Sequence, residues 1–353
     1  MKLRLKNTPE QVELIKAMGS RDTTVAREAT EAFAAFLGPV VNKVLMQAGT
    51  ASAVYTDLPF DEDDSPSIPL DLFAGEGEGY VTTWSQTVAG GLPTSTVEGF
   101  SEMKVSTYRL DSAVSFLKRY ARRGRLDVVS KAVERMSNEV LVKQERNAWA
   151  VVLKALANSG NVIEKAGGAD STFQLSMLNA LVTKVKRINT SYAGGSTTDA
   201  YGLTDIFVSP EVKEDIRAFA YQPIINASTA TNLPDNVREG IYNAAGTQEI
   251  YGITIHELIE LGEGQKYQTL FSDFYSGGTW DSTTDELVVG LDLTKDAFVR
   301  PVARQAESGG VFSALPDDQF VARSEKIGFY GFLEEGRVCI DSRAIAGLTV
   351  SNA

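Results

Sequence analysis

One amphipathic run constrains this chain more than any other feature. From Asp127 to Ala157 the apolar positions Val129, Val133, Met136, Val140, Ala148, Val151, Val152 and Ala155 recur at close to helical spacing. Asp127 suits the N-cap, and Asn158-Ser159-Gly160 supplies a stop, with Gly160 able to take the left-handed C-terminal position. At 1.5 Å per residue the helix is about 45 Å long. Few compact domains need one so long.

The segments around it are of two kinds. The first fifty residues read as short helices. Thr8 and Gln11 form a capping box with Pro9 at the first helical position, and Val12, Leu14, Ile15 and Met18 make one narrow apolar face. A second helix runs from about Thr23 through Phe36 and is expected to stop at Gly38 and Pro39. Such helices bury little alone and need another surface, which another subunit can supply. Tyr80–Val88 and Thr94–Tyr108, joined by Ala89-Gly90-Gly91-Leu92-Pro93, read as a polar two-stranded ribbon that is marginal in isolation.

Beyond Asp170 the pattern is mixed α/β. Ser171-x-x-Gln174 opens a helix carrying Leu175, Leu178, Leu181, Val182, Val185 and Ile188. Asp205–Val208 reads as a buried strand, and Ser209-Pro210-Glu211 starts a further helix. Strands are predicted at Ile250–His256, Tyr267–Phe274, Glu286–Leu293, Ala297–Val302, Phe320–Leu333 and Arg337–Ile340. The fold class is α+β.

Composition closes off most chemistry. A chain of 353 residues, 43% hydrophobic and 23% charged, has a soft prior of about two domains. Its single cysteine, Cys339, cannot form an internal disulfide, and its single histidine, His256, removes sites that need two imidazoles. Both alternate with apolar residues in expected strands and read as structural. No apolar run approaches a membrane span. Thirty-four basic against forty-six acidic residues leave a net charge of −12, which argues against a protein built to grip nucleic acid. Gly75–Tyr80, GEGEGY, lacks the order of a phosphate loop, and its glutamates repel phosphate. Asp61-Glu62-Asp63-Asp64 matches no EF-hand spacing and reads as a solvated or salt-bridged turn. No catalytic, cofactor or metal site is assigned.

Charge is unevenly placed. Asp57–Gly79 holds eight acidic residues and no basic one, while Lys118–Arg125 holds five basic residues and no acidic one. Such blocks pair within a chain, pair between chains, or remain solvated faces.

The order of these parts resembles the major capsid proteins of tailed bacteriophages, the Hong Kong 97 phage-like fold. The matching features are the N-terminal arm, the ribbon, the long helix, TDIFVSPEVKEDIRAF at Thr204–Phe219, TLFSDFYSGG at Thr269–Gly278 and QFVARSEKIGFYGFLEEGRVCI at Gln319–Ile340. The resemblance implies an N-terminal arm over 1–56, an acidic connector over 57–79 and an extended hairpin loop over 80–110. It implies a peripheral domain over 111–166 with spine helix 127–157, an axial α/β domain over 167–284, and return strands with a C-terminal segment over 285–353. It also implies a shell of hexamers and pentamers around double-stranded DNA, in the virion, assembled in the host cytoplasm. Partners would be copies of the chain, portal, scaffolding and decoration proteins, and packaged DNA held non-specifically, with no membrane. The short arm leaves little room for a fused scaffold, and no lysine–asparagine crosslink is assigned. Candidate interface residues are Asp61, Glu62, Asp63, Asp64, Trp84, Lys118, Arg119, Arg122, Arg123 and Arg125. An encapsulin-type nanocompartment shell and a soluble carboxylate-dependent hydrolase are the alternatives.

Overall fold

A computed structural model describes residues 8–61, 65–69, 102–165, 172–188, 202–221, 248–278, 280–294, 296–304, 311–317 and 325–351. The chain divides into two compact units. The first gathers residues up to 68, 104–148 and 299–338; the second holds the remainder. The ribbon expected over Tyr80–Tyr108 lies outside the described residues except for its end, where β3 (Glu102–Lys104) pairs with β2 (Ser67–Pro69).

Unit one is a mixed sheet covered by helices. β12 (Lys326–Glu335) pairs antiparallel along its whole length with β4 (Tyr108–Leu117), from Lys326↔Leu117 to Glu335↔Tyr108. On its other side runs β11 (Ser313–Asp317). β10 (Phe298–Arg304) joins β12 through Val302↔Glu335, and β1 (Thr56–Asp61) adds in parallel to β10. Gly331 lies in the middle of β12 because the Phe312 ring sits where its Cβ would be, 2.2 Å away. Its bare backbone is the floor of an aromatic pocket.

Two leading helices, α1 (Pro9–Met18) and α2 (Thr23–Ala48), close this core. Ile15, Met18, Phe33, Leu37 and Val41 are buried with Phe116, Val129, Val133, Met136, Val140, Phe329 and Leu333. The Phe33 and Phe329 rings lie 5.2 Å apart. Each such side chain contributes about 1.5–3 kcal/mol on burial. Three expectations change here. The leading helices find their surface on their own unit and do not need a neighbour to supply it. The capping box does not form: Thr8 makes no side-chain cap, and Gln11 Oε1 is buried without a partner among the described residues. Finally, α2 runs through Gly38 and Pro39. Leu37 and Val41, each fully buried on either side of the proline, pin both halves to one core, and buried Gly38 lets the backbone approach Phe312.

The long helix is α4 (Leu126–Ser159), two residues longer than expected at its C-terminal end, with Asp127 inside the first turn. Gly160 takes a φ of 66°, the left-handed cap expected of it. Its Val129–Val140 face belongs to unit one, and Trp149, Val152, Leu153 and Leu156 are buried in unit two.

Unit two is a six-stranded sheet in the order β5-β14-β9-β6-β8-β7. These strands are β5 (Val162–Lys165), β6 (Asp205–Val208), β7 (Gln248–Ile250), β8 (Ile253–Glu257), β9 (Asp285–Leu291) and β14 (Ile345–Ser351); β13 (Val338–Cys339) pairs with β10. α5 (Leu175–Ile188) buries Leu178, Leu181 and Val185, and α6 (Pro210–Tyr221) buries Val212 and Ile216, against Ile206, Ile255, Val288 and Leu348. The Ser209 hydroxyl accepts from Val212 N–H at 3.2 Å, the cap read from Ser-Pro-Glu.

Two strands of the sequence reading are different objects. Ile250–His256 is a hairpin, because Tyr251 and Gly252 have φ of 56° and 75° and turn β7 into β8. Tyr267–Phe274 is α7 (Lys266–Phe274), whose buried Tyr267, Gln268 and Phe271 share one helical face.

Candidate assembly interface

The basic cluster falls on a short helix. β4 ends at Leu117 and α3 (Lys118–Arg122) begins at once, so Lys118, Arg119 and Arg122 lie on one turn, followed by Arg123 and Arg125 ahead of α4. Their roles separate. Lys118 is half-buried and its main-chain N–H donates to the Glu325 carbonyl at 2.7 Å. The Arg119 guanidinium sits 5.1 Å from the Tyr120 ring centre. Arg122 Nε donates to the Gly19 carbonyl at 2.9 Å. Gly19 caps the C-terminus of α1, where carbonyls lack partners and a cation is favourable. Arg122 is therefore a fastener inside one copy. Arg123 and Arg125 are exposed, with no side-chain partner among the described residues.

The acidic block does not meet this cluster within the described residues. Asp61 is exposed at the end of β1, and Asp57 lies 3.3 Å from Arg300. Glu62, Asp63, Asp64 and Trp84 lie outside the described residues.

A second surface escaped the sequence reading. The outward face of α2 carries Ala32, Ala35, Phe36 and Pro39, all exposed, with Phe36 at 43%. Their spacing of i, i+3, i+4 and i+7 makes one stripe, and no charged residue occurs from Ala32 to Asn42. The signal was the uncharged run itself, hidden by ending the helix too early.

The most elaborate polar group in unit one is also new. Glu335 is fully buried. Its carboxylate accepts from Arg300 Nε at 2.7 Å, Gln144 Nε2 at 3.0 Å, the Tyr108 hydroxyl at 2.7 Å and Arg337 Nη2 at 3.2 Å. Arg337 lies over the Tyr55 ring at 4.8 Å, and the Tyr55 hydroxyl donates to the Ala148 carbonyl. Burial by itself would raise the Glu335 carboxyl, but Arg337 and Arg300 outweigh it and hold it below the usual range. Burial, and then Glu335, push the Tyr108 hydroxyl up to about 12. Glu335 and Asp57 balance Arg300 and Arg337, so the cluster is a neutral brace joining β1, β4, α4, β10 and β12. It has the form of a structural knot.

The isolated reactive residues have structural roles too. His256 Nε2 lies 2.7 Å from Asp205 Oδ1, and its ring stacks on Phe207 at 4.8 Å. Cys339 is half-buried, and burial followed by the nearby Asp341 pushes its thiol up to about 12. Among the described residues no group of three or more His, Cys, Asp or Glu side chains is placed to hold a metal ion, and no helix is long and apolar enough to cross a membrane.

Solved structures share this architecture. The chain is similar to the mature capsid of bacteriophage PhiM1, at 12% identity and TM-score 0.51 over 87% of this chain and 89% of that one. The cyanophage Pam1 capsid matches at 11% identity and TM-score 0.54, covering 85% and 89%. Microbacterium phage Oxtober96 matches at 13% and 0.52, covering 86% and 90%. No family model and no curated protein matches the chain. The fold is the Hong Kong 97 phage-like capsid fold, an α+β architecture, as the order of the sequence elements implies.

Proposed function

We propose that this chain is a major capsid protein whose copies form hexamers and pentamers of an icosahedral shell around packaged double-stranded DNA. The observation that carries this reading is fold agreement over 85–87% of the chain with capsid structures. Unit one is our candidate for the peripheral domain and unit two for most of the axial domain. Rings would close through heterologous contacts between copies. Portal, scaffolding and decoration proteins are the further partners this reading brings, with the virion as its location and the host cytoplasm as the place of assembly.

Two surfaces are candidates for contacts between copies. The α2 stripe of Ala32, Ala35, Phe36 and Pro39 is apolar and solvent-facing, the kind of surface association covers. Arg123 and Arg125, exposed and without a side-chain partner among the described residues, are our candidates to meet the acidic block 57–79 of a neighbour, and electrostatic matching of this kind sets register and on-rate.

The test is size-exclusion chromatography and negative-stain electron microscopy of the purified chain. Closed megadalton particles are expected. A discrete monomer with no particles under any assembly condition would overturn the reading and favour a soluble enzyme.

A further inference from the structure

Glu286 is the second residue of β9 and the least comfortable carboxyl in unit two. It is 1% exposed, and its Oε2 has no hydrogen-bond partner among the described residues. Its Oε1 accepts from the Glu263 main-chain N–H at 3.2 Å, and the Ser209 hydroxyl bonds the same carboxyl. The charged groups facing it have its own sign: Glu211 from the first turn of α6 and Glu263 from the loop before α7. The cation closest in sequence to that turn, Lys213, is taken by Glu257 at 2.7 Å. Asp285, its neighbour on β9, is turned to other work, accepting from the Asp281 N–H at 2.9 Å. A carboxylate buried with no cation beside it and one oxygen unbonded among the described residues carries a large cost, and a bound proton removes it.

The loop touched by this carboxyl has other ties as well: Leu258 and Leu261 are buried, and the Tyr267 N–H reaches the Glu260 carbonyl at 3.0 Å. Residues 258–265 leave β8 with the Leu258 N–H on the Val208 carbonyl at 2.9 Å, and the Gly264 N–H reaches the Ser282 carbonyl at 3.3 Å. Gly262, at a φ of 130°, presses so closely on α6 that a Cβ there would meet Glu211 Oε2 at 2.8 Å. This loop carries Ile259, at 75% the most exposed large apolar side chain among the described residues.

We propose that Glu286, with Glu211 and Glu263 beside it, is a proton-operated latch that holds the Glu263 end of loop 258–265 against the first turn of α6. The latch is closed with Glu286 neutral. Ionisation puts a third negative charge beside two others and favours the open loop, where the carboxyl reaches water.

Burial first, then the neighbouring carboxylates, raise the Glu286 carboxyl above its ordinary value. The closed loop is thus fully favoured below the ordinary glutamate value and is progressively lost as pH rises through the raised one. Each unit of that rise allows an about tenfold loss of protection in the loop. The latch is independent of the shell reading.

Hydrogen exchange on the full-length chain across a pH series, corrected for intrinsic rates, tests it. Protection of the 258–265 amides is expected to fall with rising pH in the wild type and to stay high and flat in Glu286→Gln. A flat wild type, or the same pH dependence in Glu286→Gln, would overturn the latch. Should Glu286→Gln fail to fold, Glu263→Gln provides the same decision. Glu263 is exposed, so that variant keeps the fold, and the total loss of protection should shrink; an unchanged loss would overturn the latch.

Discussion

At the scale of single residues, the buried ion cluster of unit one makes the sharpest demand. Removing Glu335 leaves Arg337 buried without its counter-charge and Arg300 with only the exposed Asp57, a change that costs about 3–5 kcal/mol. Glu335→Ala should therefore lower the thermal midpoint by many degrees, and a midpoint unchanged within error would dismiss the brace. The pH dependence has a definite sign. Glu335 titrates below its ordinary value in the fold, so its contribution is present above that ordinary value and disappears as pH falls through the depressed one. Glu335→Gln should flatten the acid limb of a stability-against-pH curve. Cys339, with its thiol pushed to about 12, should resist alkylation at neutral pH in the native state and react only after unfolding. Phe36→Glu places a charge on the outer α2 stripe and gives up only the edge contact of Phe36 with Phe33, whose rings lie 6.5 Å apart. It should leave the fold intact and abolish particles in micrographs; particles in normal yield would remove that stripe as a contact. Reversal of Arg123 and Arg125 to Glu tests charge register more cleanly than any change at Arg122, whose bond to Gly19 is internal.

Among elements, α2 shows how packing overrides local preference. Pro39 removes a helical N–H and crowds the Ala35 carbonyl, yet the helix continues because Leu37 and Val41 are buried around it. Pro39→Ala restores the bond and should raise stability by about 1–3 kcal/mol, offset in part by a freer unfolded chain. Thermal unfolding reads this directly, and a lower midpoint would mean the proline fits its site. The same element marks the limit of what sequence conveys. α4, β6, the start of α6 and the Gly160 cap were legible because their signals are local: helical spacing, a β-branched run, a Ser-Pro-Glu start and a glycine stop. α7 was misread since Tyr267, Thr269 and Phe271 alternate as a strand would, while Tyr267 and Phe271 also share a helix face. Only the tertiary partner decides, here Trp149, 6.1 Å from the Tyr267 ring. The Glu335 brace was invisible for a related reason: Tyr108 and Glu335 are 227 residues apart. On the candidate interface, the sequence grouped five cations as one patch, and the structure separates Arg122, an internal fastener, from the exposed Arg123 and Arg125.

On the scale of the whole chain, the order of elements carried the fold while nearly every individual boundary shifted. The capsid architecture depends on which strands neighbour one another, and that pattern tolerates a helix running ten residues too far. The two units also carry buried glutamates with opposed habits. Glu335 gives up its proton readily and Glu286 clings to one. A more acidic solution therefore withdraws the Glu335 contribution from the first body, and a more alkaline one withdraws the Glu286 contribution from the second. The two carboxyls thus push the pH dependence of their own bodies in opposite directions.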